Sequence, residues 1–215
     1  MRQNTPLTDV TPGGRQPRFP GFDVLAQARH WDPVTAGVVL GRLGPPPPVR
    51  FFTPDEEAVV RPLLDLLLDQ HEDPRVPVLE MIDARLAEGS TDGWRYDDLP
   101  EDGQAWRDTV SALDADAQAG HGTGFARCDD EARAGLVQAV QDLGSGRWHG
   151  MAADRVWSLW TRYACTAFYA HPWAWNEIGF SGPAYPRGYK NTGVGRREPW
   201  EVEDHSDLDP VAESR

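Results

Sequence analysis

Thr53-Pro54-Asp55-Glu56 is a capping box with proline at the first helical position, and behind it Ala58, Val59, Leu63, Leu64, Leu66, Leu67 and Leu68 recur at helical period. A helix is expected there, with Pro62 removing one internal hydrogen bond and kinking or breaking it. Further helical stripes run from about Pro77 to Ala87 (Val78, Leu79, Ile82, Leu86), from about Pro100 to Gln118 (Trp106, Val110, Leu113, Ala117) and from about Asp129 to Leu143 (Leu136, Val137, Val140, Leu143). The most apolar stripe spans about Ala153 to Ala170, where Val156, Trp157, Leu159, Trp160, Tyr163, Ala164, Ala167 and Phe168 predict the central helix of a core. Before this body lie two short helical patterns. Val24, Leu25 and Ala28 precede Asp32-Pro33, and Val34, Val38, Val39 and Leu43 follow it, with Asp32 placed as an N-cap. No segment alternates with period two for long, so the fold class is all-α. The architecture expected is an irregular helical bundle of about five main helices, with a short N-terminal helical hairpin and a long aromatic C-terminal loop.

Proline, glycine and charge divide the chain further. Residues 1–21 are polar, rich in Pro and Gly and without period, and read as a disordered arm; residues 22–50 hold the helical hairpin and the polyproline spacer Pro45–Pro48. The helical domain then covers residues 51–190, and residues 191–215 form an acidic tail, expected to be flexible. Within the domain, helical period is lost after Pro172, and Trp173 to Tyr189 read as a loop too apolar to be merely solvated.

The chain has 215 residues and a net charge of −13, from 34 acidic against 21 basic side chains. Phosphate contact needs a basic face, so nucleic acid is disfavoured as a partner. Mean hydropathy is −0.56 and no 18-residue apolar run occurs, so no membrane span is expected. Arg2, Arg15 and Arg18 frame no apolar run, neither a secretory nor a twin-arginine signal is readable, and the cytoplasm is the expected location. Cys128 and Cys165 are the only cysteines, too few for a disulfide framework, and Lys190 is the only lysine.

Motifs that carry chemistry are scarce. No phosphate loop occurs, Gly120-His121-Gly122-Thr123-Gly124 lacks the spacing and the preceding strand of a dinucleotide fingerprint, and Ser181 lies outside a nucleophile elbow. The histidines do not pair at metal-ligand spacing; His71 and His171 read as partners of helix C-termini. The nine tryptophans are more informative, since each is a large apolar body with one N–H to satisfy. Trp157 and Trp160 lie on the central stripe and read as core. Trp173, Trp175, Tyr185, Tyr189 and Trp200 lie in irregular chain beside Phe180, where two readings stand: packing within the chain, or anchoring to a partner. Cys165 likewise reads either as a small buried residue or as facing a weakly polar groove or a partner, with Ser158, Thr161 and Tyr169 around it.

Two stretches resemble a known family. Phe51-Phe52-Thr53-Pro54-Asp55-Glu56-Glu57 opens the body, and Ala167-Phe168-Tyr169-Ala170-His171-Pro172 leads to Ile178-Gly179-Phe180-Ser181-Gly182-Pro183 at its close. From Phe51 to about Tyr189 the chain resembles the gluconate 2-dehydrogenase subunit 3 family, with His171 standing where that family often has Asp. The resemblance implies a non-catalytic helical subunit that binds a large flavoprotein of the glucose-methanol-choline (GMC) type and helps it mature or remain stable. It implies no catalytic residue, cofactor or metal in this chain, since FAD and the substrate site belong to the large subunit. An electron-accepting cytochrome subunit is a further partner it allows. Trp173, Trp175, Phe180, Tyr185, Tyr189 and Cys165 are then the candidate interface. A stand-alone helical enzyme or small-molecule-binding protein, with a site that only the fold assembles, remains the alternative.

Overall fold

The structure, a computed structural model, describes residues 10–15 and 18–203. Its main elements are helices: α1 (Pro33–Gly41), α2 (Pro54–Leu67), α3 (Val78–Ala87), α4 (Asp102–His121), α5 (Asp130–Asp142), α6 (Ala153–Phe168) and α7 (Pro172–Ile178). Among the described residues the sole sheet is the antiparallel pair β1 (Arg147–Trp148) and β2 (Met151–Ala152). The fold class is therefore all-α. No helix of the described residues is long and apolar enough to cross a membrane.

The chain divides into two compact units. One comprises Pro46–His71 and Pro77–Phe168; the other takes the described residues up to Pro45, Glu72–Val76, and the described residues from Tyr169 onward. The division falls between α6 and α7, inside the stretch that the sequence reading assigned to one domain ending at residue 190.

The first unit is the bundle of α2 to α6, with α3 and α5 packed on α6 and α2 packed on α4. The capping box expected at Thr53 is present: Glu56 N–H donates to Thr53 Oγ1 at 3.3 Å and Thr53 N–H donates to Glu56 Oε2 at 2.8 Å. Pro62 does not break α2, which runs on to Leu67 with Val59, Val60, Leu63 and Leu64 buried around the missing hydrogen bond. The helix ends before His71, which does not close it but pairs through Nε2 with Asp69 Oδ1 at 2.6 Å. The core holds Trp106, Trp160 and Phe168, all fully buried. Trp160 Nε1–H donates to Thr109 Oγ1 at 3.1 Å, so this indole is both covered and satisfied. Trp157, expected beside it in the core, is only half-buried on the flank of α6.

The second unit is built around Val24, Trp31, Val39 and Trp175. Its N-terminal hairpin pairs a 3-10 helix, Val24–His30, with α1, which Asp32 caps by accepting Val34 N–H at 3.0 Å. In the described part of the N-terminal arm, Thr11, Pro12 and Gly13 are buried, and Gly13 N–H donates to Pro74 O at 2.9 Å. The rest of the expected arm (residues 1–9 and 16–17) and the end of the expected acidic tail (residues 204–215) lie outside the described residues.

Candidate docking surface

The stretch read as an aromatic loop begins as a helix. Pro172 occupies the first position of α7, and His171 is not a partner of the preceding helix's C-terminus but the N-cap of the next. The ring of His171 is 1% exposed, with Nδ1 accepting Trp173 N–H at 3.3 Å and Nε2 donating to Arg42 O at 3.0 Å. One neutral tautomer makes both bonds, with the proton on Nε2. Burial pushes the His171 pKa down to about 4; the hydrogen bond to Arg42 O opposes this and the Arg42 charge adds to it.

Helix α7 is buried on most sides, with Pro172 and Ala174 to Glu177 all covered. Trp175 is 5% exposed within the apolar cluster, and its Nε1–H donates to Tyr169 O at 2.6 Å. Asn176 joins two distant segments, accepting Val24 N–H at 2.8 Å and donating to Val10 O at 3.0 Å, while Glu177 pairs with Arg15 at 2.7 Å. Trp175, expected as a partner anchor, is thus a core side chain, because the helix opened by His171-Pro172 points its indole into the hairpin. Trp173 is half-buried against the His171 ring, with centroids 4.7 Å apart.

Beyond α7 the rings face outward. Phe180 is 40% exposed and meets the edge of Trp175, Tyr189 is 54% exposed and Tyr185 69%. The chain that carries them is held from inside. Arg187 donates to Gln27 Oε1 at 2.9 Å and to the carbonyls of Ser181 and Pro183 at 3.2 Å, and lies 4.4 Å over the Trp200 ring. Glu198 is 3% exposed, and its carboxylate accepts the backbone N–H groups of Lys190 and Asn191. Arg187 and Glu198 were not singled out in the sequence, since their partners are mostly backbone groups, which leave no residue pattern to read.

Cys165 is exposed on α6 of the bundle unit, and partial burial of its thiol raises its pKa. The bundle unit holds a second feature, a cavity of about 730 Å³ lined by Phe51, Trp94, Glu101, Asp102 and Tyr163. Tyr163 donates to Asp102 Oδ2 at 2.6 Å; burial first, and then Asp102, raises its pKa. Arg85 and Arg162 both pair with Asp92, and Arg162 also lies 3.5 Å from Asp102 and 5.0 Å from the Trp94 ring. Among the described residues, no group of three or more His, Cys, Asp or Glu side chains gathers where it could hold a metal ion.

No curated protein and no solved structure matches the chain. A family model does, that of gluconate 2-dehydrogenase subunit 3, over residues 54–182. The match takes in every helix from α2 to α7, more than half of the sequence, and on that ground the chain belongs to the gluconate 2-dehydrogenase subunit 3 family.

Proposed function

We propose that the chain is the non-catalytic small subunit of an oxidoreductase complex, binding a large FAD-dependent GMC-type sugar or alcohol dehydrogenase and stabilising it or helping it mature. Membership of a family named for a dehydrogenase subunit carries the reading, because it supports association with such a complex. The display of Phe180, Tyr185 and Tyr189 on a held loop supports it independently. Exposed aromatic rings clustered in a short stretch are typical of interface anchors, and a preformed loop lowers the ordering cost of association. In this reading Phe180, Tyr185 and Tyr189 form the docking face, with Trp173 at its edge. FAD and the substrate site belong to the partner, and an electron-accepting cytochrome subunit takes the electrons onward. Co-expression with a GMC flavoprotein tests the reading: a stoichiometric complex is expected, and a monodisperse lone chain with unchanged flavoprotein yield counts against it.

The cavity of about 730 Å³ in the bundle unit favours a second reading, that of a small-molecule-binding protein, since its volume suits a small ligand. Ser90 also lines this cavity, and a compound that raises the melting temperature of the lone chain but loses that effect in Ser90→Trp would select this reading.

A further inference from the structure

The exposed loop has a charge unlike the rest of the molecule. Between Ile178 and Arg197 stand Arg187, Lys190, Arg196 and Arg197 without a single acidic residue, a local +4 in a chain of −13. Among the described residues, the carboxylates that follow are used at close range. Glu198 turns inward to two loop N–H groups, Glu201 accepts the N–H of Glu198 at 2.6 Å, and Glu203 pairs with Arg197 at 2.8 Å. Arg187 is taken up by the clamp already described. Lys190 and Arg196 remain, both exposed and neither in an ion pair among the described residues, on the same loop as Tyr185 and Tyr189. Most of this basic stretch lies after residue 182, beyond the end of the family match.

We infer that this loop recognises a carboxylate-bearing protein surface, with Tyr185 and Tyr189 as apolar anchors and Lys190 and Arg196 as the charges that orient them. The inference rests on the subunit reading and names the chemistry of the partner's face: acidic residues around a site that accepts aromatic rings. Charge complementarity carries it. An acidic partner is repelled by the net charge of the chain as a whole and attracted only where the sign reverses, so the loop steers the encounter. Charges of this kind at the rim of an interface act mainly on association rate and salt dependence.

Lys190, the only lysine, makes the test unusually direct. A carbodiimide couples amines to carboxylates without a spacer, so every cross-link in which this chain supplies the side-chain amine forms at Lys190, and mass spectrometry separates these from links between its carboxylates and partner lysines. The expected result is an amide between Lys190 and a partner Asp or Glu, lost in Lys190→Arg, which keeps the charge and the affinity. The double variant Lys190→Glu/Arg196→Glu should weaken the complex about tenfold at low salt and flatten its salt dependence, without lowering the melting temperature. A complex of unchanged affinity in the double variant, without a Lys190 adduct, overturns the inference and leaves the subunit reading standing. Failure of any flavoprotein to bind removes both. Binding of poly(U) or phosphatidylglycerol vesicles that is lost in the double variant, while flavoprotein affinity stays unchanged, also overturns it and assigns the patch to another polyanion.

Discussion

Asp83 is fully buried, and its carboxylate accepts the backbone N–H groups of Arg50, Phe51 and Phe52 at 2.7, 2.8 and 2.9 Å. Three backbone donors just ahead of α2 are thereby satisfied. Asp83→Ala leaves them without acceptors and should destabilise the chain by about 3 kcal/mol or more in denaturant unfolding. A change below about 1 kcal/mol would show that the segment finds other acceptors. His171 acts in the same way at the start of α7, but its contribution depends on pH. Its pKa is about 4 in the folded chain against an ordinary 6.5, so below 6.5 the unfolded chain takes up a proton that the folded chain refuses. Stability from this group is therefore complete above pH 6.5 and drains away as pH falls towards 4, a loss of about 3 kcal/mol. His171→Asn keeps an acceptor for Trp173 N–H and does not titrate, so its stability should fall less steeply over that interval. An unchanged slope would contradict the assignment.

At the scale of elements, Gly179 ends α7 with φ of 67°, a conformation that side chains rarely adopt. A Cβ there would also lie 2.6 Å from Val202 Cγ2 and 2.8 Å from Phe19, so the close approach of these two segments depends on its absence. Gly179→Ala should lower stability by about 2 kcal/mol, read as a drop in melting temperature, and a neutral result would mean that the chain around Val202 and Phe19 yields freely. The helices themselves were largely legible. Thr53, Asp32 and Asp129 cap where side-chain chemistry predicts, and the apolar stripe of α6 is the buried one. The start of α7 was not, because a seven-residue helix has too few turns to show a period, and a histidine N-cap lacks the usual signature of Ser, Thr, Asp or Asn. The resemblance offered a hint, since Asp at that position is an ordinary N-cap. Pro62 failed as a helix breaker for the opposite reason: one missing hydrogen bond is outweighed by four apolar side chains packed beside it. Of the candidate interface, the aromatic composition was legible, but which rings face outward depends on contacts of α7 with the N-terminal hairpin, far away in sequence.

For the whole molecule, the net charge of −13 and the nine tryptophans describe different things. Most of the indoles serve the two units from within, as Trp106, Trp160 and Trp175 do, although Trp94 is exposed on the bundle unit; on the basic loop the outward rings are two tyrosines and one phenylalanine. Tyr185→Ser and Tyr189→Ser together should leave unfolding free energy within about 0.5 kcal/mol of the parent, as surface changes do, yet weaken a complex by about 2 kcal/mol or more if the rings are anchors. Equal losses in folding and assembly would place them in the structure of the loop. The central claim is that this chain exists to serve a flavoprotein. Native mass spectrometry of the chain co-expressed with a GMC-type dehydrogenase subunit tests it most directly. The account predicts a single complex whose mass equals both chains plus one FAD, with the flavoprotein depleted or insoluble when this chain is omitted. Two separate species, and a flavoprotein equally abundant, FAD-loaded and active without this chain, would contradict it.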